Sequence, residues 1–421
     1  MTHTPSPTAQ APDTAPDTAP DAPPDAAADT APDAARPAAA TRRSDQAANP
    51  PDAATAQRRV RIGSPLSLLA AIPGLTRFQP EQSIVVLGTG HPRAEVEVTL
   101  RYDLPDPADP RSVAAVADNV IDILSAQGMT TAAAVGYGVE AVVSPVVAAL
   151  RSRAAETGVA LTEVLRVEDN RYWSYICANP ECCPPEGTPF DVADHPVTRA
   201  FAATGQRVFA SREELAATVA PASGDPATAM RRATRAVERQ VVRCVGRMGR
   251  AGHRVARRRL IAAVGQPMVA EAIRRYRSGE EIDVEFAAWV TVALRELRVR
   301  DDAWARMLPE HGNAHTRLWA DLTRLAQPGY VAAPASLLAF VAWQQGDGAL
   351  ANVALDRALA DSRRYSMAKL LRRALDSGAP PSMARLPMTP EEVAASYDAQ
   401  EAGAESGAAG SGEAADVAEA G

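Results

Sequence analysis

Hydrophobic and polar positions divide the chain into two regimes. From about Arg58, short β-branched runs alternate with segments whose apolar residues recur every three or four positions. Gln82–Gly88 (QSIVVLG) is an unbroken apolar run, the pattern of a strand buried on both faces. Ala94–Tyr102 alternates instead, with Val96, Val98 and Leu100 on one face. Gly88-Thr89-Gly90 between them predicts a hairpin turn. No helix follows that Gly-x-Gly, which argues against a phosphate cradle. Val113, Val116, Val120, Ile121 and Leu124 then recur at helical spacing. A strand is predicted over Thr131–Gly138 and a helix over Ser144–Thr157, opened by a Ser-Pro pair. The next strand is Val159–Val167, with Arg171–Ile176 as its hairpin partner. An earlier helix starts at Ser64-Pro65 and should stop near Pro73-Gly74. Short helices over His195–Thr204 and Arg212–Thr218 close this half.

Beyond about Gly224 no strand pattern is visible. Helices are predicted over Ala227–Ala263, Met268–Ser278, Val284–Arg298, Asn313–Leu325, Pro334–Gln345, Gly348–Ala360 and Met367–Ser377, with glycine and proline at most joins. The fold class expected is therefore an α/β domain over 58–222, a mixed sheet with packed helices, followed by an all-α domain over 223–385. Residues 1–57 are built from Ala, Pro, Asp and Thr, and 386–421 are mostly Ala, Gly, Glu and Ser from Glu401 onward. Such segments can bury almost nothing, so both ends are expected to be mostly disordered acidic tails.

Composition adds limits. The chain has 421 residues, a formal net charge of −7 and 46% hydrophobic residues. Lys369 is the only lysine among 44 basic residues, a bias that points to a GC-rich bacterial genome. The N-terminus lacks an apolar signal core and no apolar run reaches spanning length, so a cytoplasmic protein without membrane contact is expected.

The richest stretch for chemistry is Arg171–Asp191, RYWSYICANPECCPPEGTPFD. It holds Cys177, Cys182 and Cys183, together with Tyr172, Trp173 and Tyr175. Pro180, Pro184, Pro185, Gly187 and Pro189 exclude regular structure there. Zinc sites draw four ligands from paired short spacings, and Cys177, Cys182, Cys183 and His195 make a weak candidate set. Adjacent cysteines rarely point at one ion, and Cys244 is remote in sequence. A reactive thiol is the second chemistry such a stretch can carry. The ordinary expectation is of buried cysteines and aromatics in a proline-held loop over the sheet, with no metal and no cofactor.

A second feature is a cationic stripe. Arg232, Arg235, Arg239, Arg243, Arg247, Arg250 and Arg254 are spaced by three or four and fall on one side of a helix. Between Arg231 and Arg259 the only acid is Glu238. Such a row can line the phosphates of a nucleic acid or meet an acidic protein. Aromatics for base stacking are absent from it. Gly246, Gly249 and Gly252 each cost about 1 kcal/mol against alanine in a helix, so packing must hold that segment.

Gly346–Ala368 resembles one tetratricopeptide-type repeat, with Gly346, Ala354, Ala358 and Tyr365 at packing positions and Arg363 where a proline is usual. Thr76–Gly88, Val98–Pro105, Cys177–Pro189 and Gly346–Leu359 together resemble the bacterial domain of unknown function 4192 family. The similarity runs from about Arg61 to Pro381. That resemblance implies no catalytic residues. No Walker, Gly-x-Ser-x-Gly, zincin or kinase motif is present. A binding or regulatory module is therefore the first expectation. The alternatives are an enzyme using a thiol or metal site around Cys177–His195, and a nucleic-acid-associated protein using the arginine stripe.

Overall fold

The structure, a computed structural model, describes residues 63–90, 95–246, 253–383 and 388–402, with 253–256 as backbone only. The expected tail over 1–57 lies outside the described residues.

A six-stranded mixed sheet organises the first part, in the order β2-β1-β3-β4-β5-β6. The strands are β1 (Ser83–Gly90), β2 (Glu95–Asp103), β3 (Thr131–Tyr137), β4 (Ala160–Glu168), β5 (Arg171–Ser174) and β6 (Thr188–Pro189). β1 runs antiparallel to both β2 and β3, with Val86 opposite Leu100 and Ala134. β3 and β4 are parallel, joined through a helix as parallel neighbours must be.

The period of two divides each strand between two cores. Ile84, Val86, Ala132, Ala134 and Val164 face α2 (Pro110–Ala126) and α3 (Glu140–Thr157). Val85, Leu87, Ala133, Val135 and Leu165 face Leu68, Leu69 and Ile72 of α1 (Pro65–Thr76). The unbroken apolar run of β1 is thus a central strand covered on both sides. Short helices α4 (Pro196–Ala202) and α5 (Arg212–Ala217) follow the sheet. Gly74 lets α4 approach α1, since a Cβ there would meet the Phe201 ring at 2.4 Å.

The rest is helical: α6 (Gly224–Gly246), α7 (His253–Arg277), α8 (Val284–Ala293), α9 (Leu297–Ala305), α10 (Gly312–Leu325), α11 (Ala332–Gln344), α12 (Gly348–Asp361) and α13 (Ser366–Asp376). Their core centres on Trp319 and Phe340, both almost wholly buried, with Trp304 edge-on to Phe340 at 5.2 Å. That core also takes in Phe78, Phe209, Leu215 and Val219 from the first part. Gln79 donates its N–H to the Phe209 carbonyl at 3.1 Å, and Phe209 donates to Arg77 at 2.8 Å.

Several element boundaries differ from the expected ones. The helix expected over 227–263 is described in two stretches, α6 up to Gly246 and α7 from His253, and residues 247–252 between them lie outside the described residues. α7 then continues through Pro267, and α1 through Pro73. α3 begins at Glu140 rather than at the Ser144-Pro145 pair. The expected helix 284–298 is two helices, α8 and α9. Residues 390–402, inside the expected C-terminal tail, are helical. A capping box opens that helix: the Thr389 hydroxyl accepts from Glu392 N–H at 3.2 Å and the Glu392 carboxylate accepts from Thr389 N–H at 2.8 Å.

Candidate functional site

The cysteine loop hangs from the edge of the sheet. β4 and β5 form a tight hairpin whose two turn residues, Asp169 and Asn170, both have positive φ, 47° and 56°. That is the turn geometry whose twist matches a hairpin, and Asp and Asn tolerate it best after glycine. The chain leaves β5 at Ser174, whose hydroxyl ties the loop down. Ser174 Oγ accepts from Cys177 N–H at 3.1 Å and donates to Glu163 Oε1 on β4 at 3.4 Å.

Asn179 then folds the chain back on itself. Its side-chain Oδ1 accepts from Glu181 N–H at 2.9 Å, and its carbonyl accepts from Cys183 N–H at 2.9 Å. The far limb is clamped by two side chains of β5. Trp173 Nε1 donates to the Pro185 carbonyl at 2.9 Å, and Arg171 Nη1 donates to Gly187 O at 2.7 Å. Trp173 is packed in turn: the Arg166 guanidinium lies 3.7 Å from the ring centroid, and Gly187 lies against the indole. Gly187 has φ +81°, and a Cβ on it would meet the indole at 2.5 Å, so this position requires glycine.

These anchors bring three sulfurs together. Cys177 Sγ lies 3.1 Å from Cys182 Sγ, and Cys182 Sγ lies 3.8 Å from Cys183 Sγ. All three lie within 4.8 Å of one another. For tetrahedral zinc with sulfur at about 2.3 Å, the sulfur–sulfur edge is about 3.8 Å. Two expectations need correction. The cysteines are not buried: Cys182 is exposed, and Cys177 and Cys183 are half-buried. Adjacent Cys182 and Cys183 do not point apart, because the turn over Asn179–Cys183 curls the backbone enough to bring their side chains together.

Protons are unevenly held among the three. Hydrogen bonds from Cys182, Cys183 and the Asn179 N–H stabilise a thiolate at Cys177 and lower its pKa. Cys182 is raised because it donates to Cys177. Desolvation, then hydrogen bonds to its two neighbours, pushes the Cys183 thiol up to about 12. The cluster thus carries one negative charge easily and three only against strong mutual repulsion.

His195 is not among the converging donors. It caps α4, with Nδ1 accepting from Val197 N–H at 3.2 Å. Cys244 sits half-buried on α6, apart from the cluster. Sequence reading missed Ser174, Glu163 and Asn179 as organisers of the loop. The Asn-Pro-Glu run was the available signal, since an Asn side chain before proline commonly starts a turn.

The arginine stripe divides similarly. Arg232, Arg235, Arg239 and Arg243 are exposed on α6. Arg247, Arg250 and the Arg254 side chain lie outside the described residues. The acid of that segment, Glu238, is engaged: its carboxylate accepts from the Tyr330 hydroxyl. The opposite face of α6 buries Met230, Val237 and Val241 in the helical core, with α8 as its main neighbour.

Fold and site define an α/β-plus-helical protein with a surface loop of three converging thiols. The chain belongs to the family described as Domain of unknown function (DUF4192), whose model matches residues 65–382. No curated protein and no solved structure matches it. No described helix is long and apolar enough to cross a membrane.

Proposed function

We propose that the protein is a metal-binding module in which Cys177, Cys182 and Cys183 hold one zinc ion, leaving a fourth position open to solvent or to a donor from a partner. The observation that carries this reading is the convergence of three sulfurs within 4.8 Å on a loop that is otherwise pinned on both limbs. Electrostatics favours the same conclusion. Three thiolates at these separations repel, and a divalent cation removes the repulsion by replacing their protons. The Asn179 N–H directed at Cys177 is the outer hydrogen bond that such sulfur ligands commonly receive. A binding or regulatory module in a reducing bacterial cytoplasm suits free thiols of this kind.

Metal analysis of protein purified under reducing conditions tests this. About one zinc per chain is expected, and cobalt substitution should give an intense sulfur-to-metal charge-transfer band. Cys177→Ser, Cys182→Ser and Cys183→Ser should each lose tight binding, while Cys244→Ser keeps it. Reduced wild-type protein that takes up no zinc overturns the reading.

A second reading is favoured by the α6 surface. Among the described residues, none of Arg232, Arg235, Arg239 and Arg243 has a carboxylate within 4.0 Å. Half-buried Arg153, by contrast, is paired with Asp118, Asp122 and Glu156. The four span about 16 Å of helix, a row suited to successive phosphates of a nucleic acid. Binding to a DNA or RNA duplex should then weaken steeply with salt. Arg239→Ala with Arg243→Ala should reduce the logarithmic salt slope by about two. A duplex that fails to bind at 50 mM salt removes this reading.

A further inference from the structure

We infer that Cys177 and Cys182 form a peroxide-reactive dithiol, and that its oxidation to a disulfide dismantles the three-sulfur site; the second half rests on the metal reading above, the first does not. The geometry carries it. The two sulfurs are 3.1 Å apart without a bond between them. A disulfide needs about 2.05 Å, so closing the bond requires a movement of only about 1 Å. The backbone is already folded for it, because the Asn179 turn brings the two ends of the Cys177–Cys182 segment together. Cys182 is exposed, which gives a small oxidant direct access.

Cys183 is the poorer partner. Its sulfur is 3.8 Å from Cys182. A Cys182–Cys183 bridge would also have to close a small ring through the intervening peptide bond, which distorts the backbone. The tripod therefore resolves into a reactive pair and a third sulfur left over.

The chemistry balances with hydrogen peroxide as oxidant. One thiolate sulfur attacks a peroxide oxygen, the O–O bond breaks, and hydroxide leaves a sulfenic acid behind. The second thiolate attacks that sulfur, the S–O bond breaks, and a second hydroxide leaves. Two thiolates lose two electrons in forming one S–S bond, and those electrons reduce the peroxide. In a zinc-loaded chain, two of the three ligands disappear in this step. Cys183 alone then holds the ion, too few donors for a stable site.

The test uses full-length protein in two arms. In the first, reduced metal-free protein receives one equivalent of hydrogen peroxide and is then cleaved with trypsin. The Tyr172–Arg199 peptide should lose two hydrogens in the wild type and in Cys183→Ser, but not in Cys177→Ser or Cys182→Ser. Cys183→Ser retains both reacting sulfurs, so its result does not depend on how the other variants fold. A Cys183→Ser protein that keeps two free thiols, or a wild-type bridge that uses Cys183, overturns the dithiol. In the second arm, zinc-loaded protein receives peroxide and released metal is read with a chromogenic chelator. Release in step with disulfide formation is expected, with recovery on adding a dithiol reductant and zinc. Zinc retained through complete disulfide formation overturns the gating. Reduced protein that binds no zinc but closes the bridge removes the metal reading and leaves the dithiol standing.

Discussion

Arg77 and Asp347 form an ion pair at 3.4 Å that joins the end of α1 to the start of α12, with both side chains largely buried. Each residue also has a backbone role. Arg77 ends α1 in the left-handed conformation at φ 70°, and Asp347 caps α12 by accepting from Leu350 N–H at 3.0 Å. Burial raises the Asp347 carboxyl and the Arg77 charge opposes that rise. Asp347→Ala removes both contacts. It should cost about 1 kcal/mol for the cap and about 1–3 kcal/mol more for the stranded Arg77. Asp347→Asn keeps a capping oxygen and should recover the first part only. Chemical denaturation of the two variants separates the contributions.

His315 should make the protein acid-sensitive. It lies on α10, is 1% exposed, and neither ring nitrogen has a hydrogen-bond partner. Burial, then the charges of His311 and Arg277, lowers its pKa from 6.5 to about 4, against a smaller opposing pull from Glu310. The folded value lies below the unfolded one, so the unfolded chain takes up the proton first as pH falls. Stability contributed by the neutral ring is present above about pH 6.5 and is lost between there and pH 4. The loss should approach about 3 kcal/mol. His315→Leu should flatten the stability–pH curve in that window, and an unchanged slope would assign the acid sensitivity to other groups.

Gly187→Ala should disturb the cysteine loop specifically. The variant meets both a positive φ and the Trp173 indole. Backbone strain alone is worth about 1–3 kcal/mol, and the indole overlap adds to it. Gly205→Ala is the control: φ is +71°, but nothing lies within 4 Å of the added carbon. Both should lower the melting temperature, while only Gly187→Ala should also change tryptophan fluorescence and weaken zinc binding.

Truncation after Met383 should destabilise the fold, because helix 390–402 is tied to the helical part. Arg298 pairs with Asp398 at 2.6 Å, the Tyr397 hydroxyl donates to Asp301 at 2.5 Å, and Val393 is 3% exposed. Burying that valine alone is worth about 1.5–3 kcal/mol. A chain ending at 402 should melt like the full-length protein, and a chain ending at 383 should melt several degrees lower.

Period and pattern made the sheet legible. The unbroken run over Ile84–Leu87 announced a strand covered on both faces, and alternation in Val96–Leu100 announced its hairpin partner. Proline was the unreliable marker. Pro73, Pro145 and Pro267 all lie inside helices, where a missing N–H costs about 3 kcal/mol in isolation. Buried neighbours such as Ile72 and Val269 supply enough packing to offset that cost. At the candidate site the cysteine spacing was visible but the convergence was not. It depends on one side-chain turn at Asn179 and on clamps from Arg171 and Trp173, contacts that spacing alone does not encode.

The same loop that carries the sulfurs ends as β6, two residues paired with Tyr172 and Arg171. β6 is therefore the hem of the sheet. A bare β5 would offer its unpaired N–H and C=O groups to any passing extended chain. Pro189 has no N–H to offer, so the covered edge is a poor template for further strands. Loop integrity and colloidal behaviour are consequently linked: whatever unpins residues 177–187 also lifts the hem, and self-association should accompany loss of the thiol cluster.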